Sequence, residues 1–165
     1  MKAIIIRLAE EQDLDTLCTL YFYFHEFHAH HLSTYLRTLD YPSEKEQEEL
    51  KCKIKELIQG GDSAVLVADC EGQVLGLAEV YLKHTGLDNR AIVSLNYAHL
   101  QSLMVAQDFR GKGIGSQLIK SVEAWARERG AVELRLDTWE FSAGPLGFYD
   151  KLGYQTIRRT LAKKL

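Results

Sequence analysis

The spacing of apolar residues changes several times along the chain, and each change marks a new element. Residues 3–8 (Ala-Ile-Ile-Ile-Arg-Leu) are rich in β-branched side chains and predict a short strand. From about Glu11, Leu14, Leu17, Tyr21, Phe24 and His28 recur every three or four residues, which is a helical period. Pro42-Ser43 interrupts it, and a charged helix carrying Glu46, Glu48, Glu49, Lys51, Lys53, Lys55 and Glu56 runs to a stop at Gly60-Gly61. Residues 63–69 and 73–82 predict two strands joined by a Glu71-Gly72 turn, an antiparallel hairpin. A polar loop over 83–96 leads to a strand at 98–105. A helix over 114–129 follows, with Ile114, Leu118, Val122 and Trp125 on one face and Gly130 as its stop. Near-alternation of Val132, Leu134 and Leu136 predicts a strand at 132–137, then a short helix within 144–152 and a final strand at 154–161. Strands come first as a meander and later alternate with helices, so the fold class is α/β (α+β) with a mixed sheet.

At 165 residues and 18.8 kDa the chain is sized for one domain spanning 1–165. With 46% hydrophobic and 26% charged residues, wholesale disorder is excluded. No apolar run is long enough for a membrane span, and the apolar stretch after Met1-Lys2 is too short for a signal peptide. Cys18, Cys52 and Cys70 form neither a CxxC pair nor an even disulfide set, and the expected compartment is the cytoplasm. The net charge of −3 argues against general nucleic-acid binding, and Arg158, Arg159, Lys163 and Lys164 read as a solvated tail. That charge is divided unevenly. Residues 1–100 carry −7 and residues 101–165 carry +4, a division that suits an anionic ligand on one side and a cationic one on the other.

The chemistry is concentrated in the stretch Leu103-Met104-Val105-Ala106-Gln107-Asp108-Phe109-Arg110-Gly111-Lys112-Gly113-Ile114-Gly115. Here a strand ends, a loop turns and a glycine-dense run opens a helix. Helix N-termini present unpaired N–H groups and a positive dipole, and glycine lets an anion approach them, so a phosphate or pyrophosphate is the inferred ligand. Neither GxxxxGK[ST] nor GxGxxG is present, which weakens the nucleoside-triphosphate and dinucleotide readings.

The segment Arg110-Gly111-Lys112-Gly113-Ile114-Gly115 resembles the acetyl-CoA signature [Q/R]-x-x-G-x-[G/A] of the GNAT superfamily of N-acetyltransferases. Phe148-Tyr149-Asp150-Lys151-Leu152-Gly153-Tyr154 is similar to that family's FYxKxGF element, and Ile6–Leu14 to its first strand and helix start. The resemblance implies a mixed, mostly antiparallel twisted sheet of six to seven strands flanked by about four helices. It implies that acetyl-CoA is the cosubstrate, with no metal, and that an amine is the acceptor. The backbone of Leu103, Met104 and Val105 would pair with the pantetheine arm. The amides of Arg110, Gly111, Lys112, Gly113, Ile114, Gly115 and Ser116 would cradle the pyrophosphate. Tyr149 would be the general acid at the coenzyme sulfur. Ser142 stands where many relatives have a coenzyme-contacting asparagine, and Pro145 where they have a small alanine.

Attack of an amine on a thioester requires a base, an oxyanion donor and an acid. No carboxylate lies in 97–103, where many relatives place the base. Glu79 is the first candidate, with His99 and Asp137 as alternatives, and a water relay would need no dedicated residue. His25, Glu26, His28, His30 and His31 form a cluster in which His28 shares a helix face with His25 and with His31. HExxH is not matched because position 29 is Ala, so the cluster reads as a polar or substrate-facing surface. Two functions compete: an acetyl-CoA:amine N-acetyltransferase, and a non-catalytic acyl-CoA-binding module on the same fold. A sheet edge near the C-terminal end would permit a homodimer.

Overall fold

In the computed structural model, residues 3–86, 89–142 and 144–164 are described. The strands are β1 (Ile5–Leu8), β2 (Ser63–Cys70), β3 (Gln73–His84), β4 (Asn96–Val105) and β5 (Glu133–Leu136). The helices are α1 (Leu14–His31), α2 (Glu44–Gln59), α3 (Ile114–Glu128) and α4 (Leu146–Lys151), with short 3₁₀ turns at Glu11–Asp13 and Gln107–Phe109. The strands form one sheet in the order β1-β2-β3-β4-β5. Every neighbouring pair is antiparallel except β4 and β5, which run parallel.

Alternation along β2 sends its side chains into two cores. Ala64, Leu66 and Ala68 face α3, packing with Ile114, Leu118, Ile119, Val122 and Trp125. Val65 and Val67 face α1 and α2, packing with Leu17, Leu20, Ile54, Leu77 and Met104. With both faces covered, β2 and β3 read as nearly continuous apolar runs in the sequence. Helix α2 starts on a capping box in which the Ser43 hydroxyl accepts from the Glu46 N–H while the Glu46 carboxylate accepts from the Ser43 N–H.

Two departures from the expected strand pattern shape the site. The sheet has five strands among the described residues rather than six to seven, because residues 154–161 form no ladder. Apart from the half-buried Tyr154 they are exposed, and they line an open groove together with β5. The second departure lies inside β4. Glu79 pairs with Ser102 but Val80 pairs with Leu100, so Gln101 is an extra residue, a bulge. On its other side β4 pairs with β5 only from Tyr97 to Leu100. β5 itself ends at Leu136, so beyond Leu100 no strand pairs with the outer edge of β4 among the described residues.

The start of the chain is held down by ionic contacts. The Arg7 guanidinium, on β1, donates to both carboxylate oxygens of Asp13 at 2.7 and 2.9 Å and to Asp69 at 2.9 Å. Asp13 and Asp69 are both buried. Arg7 holds the Asp13 carboxyl below the usual carboxylate range, chiefly through that hydrogen bond. Removing the cation leaves two buried carboxylates unpaired, so Arg7→Ala is expected to cost about 3 kcal/mol of stability in urea unfolding. Because the folded-state pKa of Asp13 is depressed, its contribution is complete above the unfolded value near ~3.9 and is lost as pH falls through the folded value. The acid arm of the stability profile of Arg7→Ala should therefore be shallower than that of the parent.

Candidate active site

The glycine-rich turn sits at the end of the opened part of β4. After Val105 the chain makes its 3₁₀ turn over Gln107–Phe109 and enters α3 with Gly113 as the N-terminal cap. Gly111 and Gly113 have φ of +74° and +79°, and a Cβ at either would point into open space. This left-handed backbone turns successive N–H groups towards one side. Among the described residues, the amides from Gly111 to Ser116 donate no hydrogen bond within the chain, and no side chain caps α3. The turn is thus a cradle of free donors at a helix N-terminus, a setting that fits an anionic diphosphate.

The two cationic side chains of the turn are tied to its frame. Arg110 Nε donates to the Val105 carbonyl at 2.9 Å, and its guanidinium lies 4.8 Å from the Phe27 ring centroid. Lys112 Nζ donates to the Asp108 carbonyl at 3.0 Å and sits over the Phe109 ring. They contribute field and rigidity, while the backbone supplies the donors.

The two motifs separated in sequence meet at Gly115. A Cβ placed there would lie 3.3 Å from the Phe148 ring, so the glycine lets α4 pack against the first turn of α3. That contact positions the neighbouring Tyr149, which is buried in the core on the α3 face and packs against Phe148 and Tyr154. Burial pushes its phenol up to about 12, so it holds its proton throughout the neutral range.

Glu79 lies on the other face of the sheet. On β3 it shares a face with Leu77, which packs against α1, and it is buried at the level of the bulge. Three hydroxyls converge on its carboxylate. Tyr21 of α1 donates to Oε2 at 2.8 Å, Ser102 of β4 donates to the same oxygen at 3.0 Å, and Tyr81 donates to Oε1. Burial, and then the carboxylate itself, push both phenols well above their ordinary range, so they remain donors. A buried carboxylate with no cation is tolerated only when hydrogen-bonded in this way.

Of these partners Tyr81 is legible in the sequence, two residues from Glu79 and therefore on the same strand face. Ser102 requires the bulge register. Tyr21 is recruited from 58 residues away, and its helical spacing alone does not set it apart from a core residue.

The alternative bases are less enclosed. His99 faces Tyr81 across the β3–β4 ladder, and its Nε2 lies 3.8 Å from Asp137, whose side chain is almost fully exposed. Burial and then Lys83 lower the proton affinity of His99. The histidine cluster of α1 is an aromatic seam. His28 and His31 each donate Nδ1–H to the carbonyl four residues earlier, and both rings pack on Phe141. Among the described residues no group of three His, Cys, Asp or Glu side chains is placed to hold a metal ion. Ser142 is exposed in the turn that follows Phe141.

Residues 21–154 match the family model described as the acetyltransferase (GNAT) family. The chain belongs to that family. It is an acetyltransferase, and the non-catalytic reading gives way. Over 110 residues it is 26% identical to an aminoglycoside N(6′)-acetyltransferase type 1 of Salmonella typhimurium, covering 65% of this chain and 72% of that protein. It is 41% identical to the blasticidin-S acetyltransferase of Streptomyces morookaense over 64 residues, which cover 38% of this chain and 46% of that one. A mutant of the BH1408 protein from Bacillus halodurans shares the fold with a TM-score of 0.85 at 23% identity, over 98% of this chain and 99% of the other. The CoA complex of aminoglycoside N-acetyltransferase AAC(6′)-Iy has a TM-score of 0.77 at 19% identity, over 100% and 96% of the two chains. Among the described residues no helix is long and apolar enough to cross a membrane.

The Gly115–Phe148 contact provides a direct check on how the two motifs are joined. Gly115→Val is expected to displace α4 and lower stability by about 1–3 kcal/mol, as overpacking does. Thermal unfolding measures the loss. An unchanged melting temperature would mean that the contact does not hold α4 in place.

Proposed function

We propose that this GNAT acetyltransferase transfers an acetyl group from acetyl-CoA to a primary amine by direct attack in a ternary complex. The observation that carries the reading is the unpaired outer edge of β4 after Leu100, which leads into the glycine cradle at the start of α3. In this reading that edge is where one substrate pair reaches both the carboxylate on the α1 face and the phenol on the α3 face. The pyrophosphate binds the amides of 111–116, and the pantetheine arm takes the place of β5 along the freed edge of Leu103, Met104 and Val105. Such a ladder delivers the thioester to the bulge, where backbone N–H groups released from strand pairing meet the developing oxyanion.

The amine approaches from the α1 face. Glu79 accepts its proton as the nitrogen attacks, and Tyr21, Tyr81 and Ser102 hold the carboxylate in a single orientation. The tetrahedral intermediate then collapses with loss of the CoA thiolate. Tyr149 donates to that sulfur. Complete transfer from a phenol near 12 to a thiolate of ordinary pKa ~8.5 would be uphill by about 5 kcal/mol. The proposed acid therefore acts mainly as a hydrogen-bond donor to the departing sulfur, and solvent completes the protonation. Acids outnumber bases in the first hundred residues, which suits a cationic acceptor. Aminoglycosides, the acceptors named for several relatives, are the first class to try.

Thiol release from acetyl-CoA against a panel of aminoglycosides, blasticidin S and peptide N-termini tests this reading. Acceptor-dependent release is expected, with kcat falling about 10²-fold or more in Glu79→Gln and about 10-fold to 10²-fold in Tyr149→Phe. Turnover at the parent rate in Glu79→Gln would remove Glu79 as the base and leave His99 or a water relay.

A further inference from the structure

Aromatic rings join α1 to the connection that follows β5. His28 and His31 pack on Phe141 with centroid separations of 6.1 and 5.1 Å, and Phe27 lies 6.1 Å from the same ring. Tyr35, just beyond α1, stacks on Trp139 at 5.5 Å. The chain around Tyr35 is clipped to the helix, since His25 Nε2–H donates to the Arg37 carbonyl and the Leu39 N–H donates to Glu26, both at 2.8 Å. One ring of this seam also reaches the glycine-rich turn. The Arg110 guanidinium lies 4.8 Å from the Phe27 centroid, while Arg110 Nε donates to the Val105 carbonyl at 2.9 Å, at the end of β4. Arg110 is exposed and Phe27 half-buried. Six residues earlier on the same helix, Tyr21 holds Glu79.

We propose that Phe27 and Arg110 form the joint through which an occupied coenzyme turn positions the acceptor side of the site. This rests on the reading that the amides of 111–116 bind the diphosphate of the cosubstrate. A ligand on that turn displaces water from Arg110, and a cation over a ring is held more strongly once it is desolvated. The bond from Nε to Val105 keeps the guanidinium over the ring while this happens. Phe27 is then drawn against the turn, and the rings of His31 and Phe141, which pack on it, follow. The result fixes α1 and the connection after β5 relative to the thioester, so that the amine is aligned for attack. Both side chains act by positioning, and neither exchanges a proton.

Backbone amide NMR of the full chain titrated with coenzyme A tests the joint without an acceptor. In the parent, signals at 27–31 and 139–142 should shift together with those at 111–116. In Phe27→Leu and Arg110→Met the shifts at 111–116 should persist with affinity changed by less than about 3-fold, because the backbone donors are intact. The shifts at 27–31 and 139–142 should fall by about half or more, and Phe27→Tyr, which keeps the ring face, should restore them. With an amine that supports turnover, kcat of Phe27→Leu should drop about 10-fold while KM for acetyl-CoA stays nearly constant. Parent signals at 27–31 that stay still while 111–116 move would overturn the proposal. So would shifts at 27–31 that persist in Arg110→Met, a Phe27→Tyr variant as impaired as Phe27→Leu, or an unchanged kcat in Phe27→Leu. Unmoved amides at 111–116 in the parent would instead remove the coenzyme reading, and the joint with it.

Discussion

At Gln101 strand β4 carries one residue more than β3 can match, and at Leu100 its parallel ladder to β5 ends. A sheet interior is ordinarily sealed, because every backbone N–H and C=O is paired and both faces are packed. Here the seal is broken along one strand while the rest of the sheet stays intact. The released edge of β4 leads directly into the glycine cradle at the start of α3.

The surrounding structure keeps the gap open and rigid. Two-sided burial of β2 and β3 makes the first half of the sheet a fixed wall, and the ionic contacts of Arg7 fasten β1 and the start of α1 to it. Further along α1, Tyr21 reaches Glu79 at 2.8 Å. On the other face, the missing side chain of Gly115 sets how closely α4 approaches α3, and thereby where Tyr149 stands. Around the buried Glu79 side chain the hydrogen-bond donors are the hydroxyls of Tyr21, Tyr81 and Ser102.

Much of the fold was legible because local signals were strong. The Pro42-Ser43 break, the charged helix that follows it and the hairpin at Glu71-Gly72 were each written in a few neighbouring residues. The cradle was legible for the same reason, since a left-handed turn at a helix start demands glycine. The failures have a common cause, which is dependence on partners remote in sequence. A strand at 154–161 was expected from its residue pattern, but a strand exists only where a neighbouring edge is offered. The donors around Glu79 come from α1, β3 and β4, and the bulge that turns Ser102 towards it depends on a register no single segment encodes. Within the conspicuous His25–His31 cluster, the packing of His28 and His31 on Phe141 likewise depends on a ring remote in sequence.

The central claim is that the freed edge of β4 and the amides of the α3 start together form the coenzyme site. Backbone amide NMR of the chain titrated with acetyl-CoA tests it without reference to any acceptor. The largest shifts are expected at 103–105 and 111–116, saturating together, with small changes in β1 and α2. Binding that left those amides unmoved, or that shifted mainly the residues along the outer edge of β5, would contradict the account.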